Sequence, residues 1–242
     1  MVQKRGIMVA LYGYYGYGYY YDPMYILIII SCVIALIAQV KVKSTFNRYS
    51  KVSSSKGMTG AMVAEQLLRS QGIYNYLSGS LTDNYNPRNK TLNLSDSVYN
   101  STSVAAIGVA AHETGHAIQH AYGYGPLSFR TALFPLASVG SQVSWILIVL
   151  GLIFGSTNIL IDIGILMFSL AVLFQLVTLP VEFNASARAL QLLESEGFLY
   201  GDENRQARKV LSAAAMTYVA AAATAILQLL RLIYLFGGRR RD

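Results

Sequence analysis

The sequence predicts a mainly α-helical integral membrane protein with a small polar domain at the bilayer surface. Three observations predict it. Of 242 residues, 54% are hydrophobic and only 13% are charged, whereas soluble domains carry about 25% charged residues. The apolar residues are concentrated in four stretches, Met24–Val40, Leu133–Phe154, Asn158–Leu179 and Ala213–Phe236, each near the roughly 17–25 residues that cross a hydrocarbon core as a helix. The polar residues collect between the first and second stretches and again after Leu179.

Residues 1–23 hold a low-complexity run, Tyr12-Gly13-Tyr14-Tyr15-Gly16-Tyr17-Gly18-Tyr19-Tyr20-Tyr21. Tyrosine favours the membrane–water boundary, so this run reads as an interfacial or disordered tail. Residues 24–40 form a retained anchor; so long a Tyr/Gly-rich lead does not fit a cleavable signal. The single cysteine, Cys32, lies within that anchor and excludes an internal disulfide framework.

Residues 41–126 form the polar domain. Lys41–Lys56 is basic and serine-rich, and Gly60–Ser70 is helical, with Ala61, Ala64, Leu67 and Leu68 on one face. Residues 71–100 are rich in Gly, Ser, Asn and Asp, and a short extended segment at Thr91–Leu94 fits a small hairpin. A continuous helix is predicted over Thr102–Tyr122, capped by Ser101 and stopped by Gly123. Residues 133–179 form a transmembrane hairpin. After Pro180 a second polar helix runs over Glu182–Glu196, and Gly201–Lys209 is a charged loop leading to residues 211–242, the last apolar helix and its basic tail.

The net charge of +7 does not indicate nucleic acid. The bases cluster at Lys41–Lys56, Arg205–Lys209 and Arg239–Arg241, beside the ends of apolar runs. That placement suits lipid headgroups and the positive-inside rule, and no basic stripe interleaved with aromatic residues is present. The expected partners are the lipid bilayer and protein or peptide substrates, with no nucleic acid.

The chemistry centres on His112-Glu113-Thr114-Gly115-His116, which holds two of the three histidines. On a helix His112 and His116 lie one turn apart and point the same way, as two corners of a tetrahedral Zn2+ site require. Glu113 projects beside them, where its carboxylate can take a proton from the attacking water. A catalytic zinc needs a third protein ligand and an open fourth position. His120 lies one turn beyond His116, but three consecutive turns of one rigid helix do not wrap a single ion. Glu182 fits better, because a two-span hairpin returns the chain to its starting side and delivers Glu182 to the face of His116. The competing reading makes Glu182 a carboxylate that complements a helix N-terminus. Glu194, Glu196, Asp202 and Glu203 come later and read as solvated.

His112-Glu113-Thr114-Gly115-His116-Ala117-Ile118-Gln119, a hydrophobic hairpin and Leu179-Pro180-Val181-Glu182-Phe183-Asn184-Ala185-Ser186 together resemble the bacterial membrane neutral zinc metallopeptidases of the YugP-like type. Lys41-Val42-Lys43-Ser44-Thr45-Phe46 and Leu92-Asn93-Leu94-Ser95 extend the resemblance over most of the chain from about residue 25. It implies a zincin-like (HExxH) peptidase domain at the membrane surface, with His112 and His116 as metal ligands, Glu113 as catalytic base and Glu182 as third ligand. Two departures stand out. Several Glu-ligand zinc peptidases carry an aspartate four residues after the ligand glutamate, where this chain has Ser186. Asn84-Tyr85-Asn86-Pro87 falls where the family pattern has His and Asp.

The function expected is a membrane-embedded zinc endopeptidase acting on membrane or membrane-proximal proteins. The cationic cluster Lys41, Lys43, Arg48, Lys51 and Lys56 puts its active site on the cytoplasmic side of the cell membrane, although Lys4, Arg5 and Arg239–Arg241 pull the other way. The alternative is a non-enzymatic membrane scaffold or quality-control adaptor with structural zinc. Such sites are closed by four protein ligands and usually recruit cysteine, and Cys32 is remote. Asp162, Gln175 and Arg231 alone define no transport pathway.

Overall fold

The structure is a computed structural model that describes residues 25–74, 76–80, 82–154 and 158–237. The Tyr/Gly-rich run, Met24 and Arg239–Arg241 lie outside the described residues.

The fold is mainly helical. Seven helices are described: α1 (Tyr25–Tyr49), α2 (Gly60–Ser70), α3 (Asp96–Tyr99), α4 (Val104–Ala121), α5 (Gly125–Phe154), α6 (Asn158–Ser195) and α7 (Asp202–Gly237). Between α2 and α3 lie β1 (Tyr76–Ser80), β2 (Asn84–Asn86) and β3 (Thr91–Ser95). They form a sheet in the order β1-β3-β2, with β3 parallel to β1 and antiparallel to β2. The region after Gly72 thus holds a three-stranded sheet rather than a simple hairpin, and β2 is an edge strand.

Four helices, α1, α5, α6 and α7, are long and apolar enough to cross a membrane. Their outward faces carry large exposed apolar side chains, among them Leu36, Ile153, Ile159 and Leu166, which lipid would cover. α5 and α6 form the hairpin, and small residues let their backbones approach: a Cβ on Gly140 would lie 2.9 Å from the Met167 carbonyl, and one on Gly164 2.9 Å from that of Ser144. α1 and α7 run antiparallel, since Arg231 near the end of α7 stacks on Tyr25 at the start of α1.

Helix boundaries differ from the sequence reading at several points. α6 passes through Pro180 without a break. Proline removes one N–H bond, to the carbonyl of Leu176, and a helix packed by neighbours tolerates that loss. Glu182 is therefore a mid-helix residue, which removes the helix-N-terminus reading of its carboxylate. The segment expected as a charged loop at Gly201–Lys209 is helical from Asp202 onward, with Asp202 and Glu203 in the first turn, where carboxylates oppose the helix dipole.

The motif helix α4 is central and packs on α2, α6 and α7. It begins two residues later than expected, capped by the Ser103 hydroxyl accepting from Ala106 N–H rather than by Ser101. Gly123 follows it with φ +63°, the left-handed conformation expected of a helix stop. Small residues set its spacing from its neighbours. Ala110 meets Gly60 of α2, Gly108 meets Ala207 of α7, and a Cβ on Gly115 would lie 2.6 Å from the Ala185 carbonyl of α6. A core of Val63, Leu67, Ile107, Leu193, Leu199 and Leu211 closes around this contact region.

Candidate metal centre

The close approach at Gly115 places the histidine face of α4 directly against the Glu182 face of α6. His112 Nε2 lies 3.2 Å and His116 Nε2 3.5 Å from the same carboxylate oxygen, Glu182 Oε2. One ligand atom from each residue falls within 4.8 Å of the others. Among the described residues these three form a group able to hold a metal ion, and two imidazoles with one carboxylate are a donor set suited to zinc.

The outer nitrogens of both rings are engaged. His116 Nδ1 is 3.0 Å from Gln119 Oε1, while Gln119 Nε2 donates to the Val181 carbonyl and to Asn184 Oδ1. Those donations fix the amide orientation, so Gln119 presents an acceptor and His116 Nδ1 carries the proton. Its Nε2 lone pair is thereby directed at the centre. His112 Nδ1 lies 3.0 Å from Ser186 Oγ. Serine thus occupies the position where related chemistry uses aspartate, and reaches the ring from the same helical turn. Ser186→Ala is expected to weaken zinc binding about 10- to 100-fold, the usual worth of such a partner, as measured by chelator competition. Unchanged affinity would mean that the serine merely fills space.

Glu182 is 2% exposed, and its other oxygen, Oε1, is 3.2 Å from Arg130 Nη1 of α5. The guanidinium holds Oε1 and leaves Oε2 facing the two imidazoles. Burial alone would lower the pKa of His116; the hydrogen bond its protonated ring donates to Glu182 and the charges of Glu113 and Glu182 outweigh it, so the net shift is upward. The same negative field that favours a proton on the imidazole favours a bound cation.

Glu113 lies beside the centre, with Oε2 accepting from Tyr85 N–H of edge strand β2 at 3.0 Å. Tyr85 is tied to α4 a second time, by its hydroxyl at 2.8 Å from His120 Nδ1. His120 is therefore remote from the three-ligand group and anchors the strand that faces the motif. A cavity of about 530 Å³ opens over this arrangement. One wall is polar, from Asp83 to Arg88; the other is formed by Leu127, Phe134 and Phe174 of the hairpin, with Arg130 and Tyr218 beside Glu182.

The sequence brought His112, Glu113, His116 and Glu182 into view; the fold brings His112, His116 and Glu182 into one group, and Glu113, His116 and Glu182 line the cavity. The later carboxylates serve elsewhere: Glu194 accepts from Asn204, and Glu203 from Ser55. Arg130 and Tyr218 were missed, and Gln119 and Tyr85 were named without a role. Only Gln119, one turn from His116 on the same helix, carried a local signal.

Residues 24–237 match the family described as "putative neutral zinc metallopeptidase". The chain is also 49% identical over 203 residues to the "putative membrane protease YugP" of Bacillus subtilis (strain 168), a match covering 82% of this chain and 90% of that protein. No solved structure matches the chain. With a match across nearly its whole length, and with a relative at that level of identity, the chain belongs to the neutral zinc metallopeptidase family.

Proposed function

We propose that the protein is a multi-pass, membrane-embedded zinc endopeptidase that cleaves membrane or membrane-proximal protein segments. The observation that supports this best is the meeting of His112, His116 and Glu182 beside a cavity with one polar and one apolar wall, which His116 and Glu182 line. In this reading residues 41–126 and 180–210 form a zincin-like domain at the bilayer surface, and α1, the α5–α6 hairpin and α7 anchor it. The dense basic segment after α1 favours a cytoplasmic active site.

His112 Nε2, His116 Nε2 and Glu182 Oε2 would hold the zinc, which when bound supplies a Lewis acid for the carbonyl and lowers the pKa of water. Glu113 takes the proton of the attacking water and passes it to the leaving amine. Arg130 fixes the rotamer of Glu182, and Tyr218 offers a hydroxyl donor to the developing charge on the carbonyl oxygen. The backbone edge of β2 at Tyr85 faces Glu113, and an extended substrate segment pairs along it. The hairpin wall receives apolar side chains, which suits segments emerging from lipid.

The test uses the full chain in liposomes, with one cleavable sequence presented either tethered to a transmembrane segment or as a soluble peptide. Stripping zinc with a chelator abolishes cleavage, and one equivalent of zinc per chain restores it. The tethered form is cleaved faster. Cleavage confined to the soluble peptide would refute the substrate class, and cleavage indifferent to chelation would refute the metal mechanism.

A further inference from the structure

A second cleft, of about 640 Å³, lies between α1 and α7, away from the metal centre. Lys41, Ser44 and Arg48 line one side of it, and Arg208, Lys209 and Ser212 line the other. Spacings of three, four and seven residues place the α1 set on a single helical face. The two faces oppose each other because α1 and α7 run antiparallel.

Four cationic side chains therefore converge on one space, and no carboxylate lines it. The nearest carboxylates on α7 are engaged elsewhere, Asp202 with Arg205 and Glu203 with Ser55. No ion pair joins Lys41, Arg48, Arg208 or Lys209 to a described residue. Like charges facing one another across a cleft repel, and an anion between them removes that cost. The Ser212 hydroxyl adds a neutral donor that a phosphate oxygen accepts from, while the Ser44 hydroxyl donates to the Lys41 carbonyl.

Position identifies the source of the anion. Lys41 directly follows the apolar run of α1, and Arg208 and Lys209 directly precede that of α7. Ala213 and Met216 continue the cleft towards the apolar side. The cleft is thus cationic at one end and apolar at the other, matching a phosphate with acyl chains attached. We propose that it binds the headgroup of one anionic phospholipid, an inference that rests on α1 and α7 crossing the bilayer. α7 also packs through Ala207 on Gly108 of the motif helix, so a lipid held here braces the helix that backs the metal centre.

Native mass spectrometry of the full chain tests this after titration with phosphatidylglycerol, phosphatidylcholine or glycerol 3-phosphate. The expected result is one phosphatidylglycerol retained per chain in preference to phosphatidylcholine. Arg48→Gln and Lys209→Gln each weaken retention about fivefold, the equivalent of about 1 kcal/mol per base near a membrane surface. The charge-keeping pair Arg48→Lys and Lys209→Arg retains it, and circular dichroism confirms that all variants are folded. Equal retention of the two lipids, or undiminished phosphatidylglycerol in the double glutamine variant, would overturn the proposal. Equal capture of glycerol 3-phosphate would overturn the lipid assignment in favour of a soluble phosphate ester. None of these readouts depends on peptidase activity.

Discussion

Glu113→Gln is expected to lower peptide hydrolysis about 1000-fold while leaving the zinc content of the purified protein unchanged. A positioned general acid–base group is worth roughly 100- to 10,000-fold, and Glu113 sits in the cavity beside, not within, the three-ligand group. Glutamine keeps the shape and an acceptor oxygen for Tyr85 N–H, so the edge strand stays in place. Only the capacity to take a proton is lost. Metal analysis together with turnover on a tethered substrate reads both halves of the prediction. Loss of zinc along with activity would mean that Glu113 supports the site rather than moving the proton. Full activity would remove it from the mechanism.

Glu182→Gln is expected to have the opposite signature, losing zinc and activity together. Its carboxylate is the one negative group among the three candidate ligands, and Oε2 is the atom both imidazoles face. Outer partners of metal ligands are worth 10- to 100-fold in affinity, so removing a charge that contacts the ion directly should exceed about 100-fold. Competition with a chromogenic chelator measures this. The glutamine also leaves Arg130 without its carboxylate, which costs little in stability because the guanidinium is 28% exposed and partly hydrated. A folded variant that retains zinc at wild-type affinity would disprove the assignment of Glu182 as third ligand.

Helix existence and topology were legible in the sequence because both depend on local properties. Span length follows from apolar runs, α2 was placed at Gly60–Ser70 by its own periodicity, and the parity of the hairpin was enough to send Glu182 to the side of His116. What was missed depends on contacts between distant segments. Pro180 suggested a helix boundary, but packing against α4 and α5 keeps α6 continuous. Arg130 carries no motif at all; it matters only because α5 lies beside α6 where Oε1 of Glu182 points. Ser186 departed from the related pattern by residue type, yet a hydroxyl at that turn still reaches His112 Nδ1. Asn84–Asn86 had no readable role, because an edge strand acquires one only from the helix it lies against.

The unbroken course of α6 has a mechanical consequence. Its 38 residues make a rod about 57 Å long at 1.5 Å per residue, long enough to cross the roughly 30 Å of a hydrocarbon core and continue beyond it. Glu182 follows Leu179 by less than one turn, a rise of about 5 Å. With no joint between the apolar run and the carboxylate, the proposed placement in the bilayer fixes the height of Glu182 above the lipid by the rod itself. For the membrane-embedded peptidase proposed above, bonds far out in the aqueous phase are then out of reach, whatever their sequence. In that placement a thicker or thinner bilayer changes the tilt of the rod, so membrane thickness is transmitted directly to Glu182.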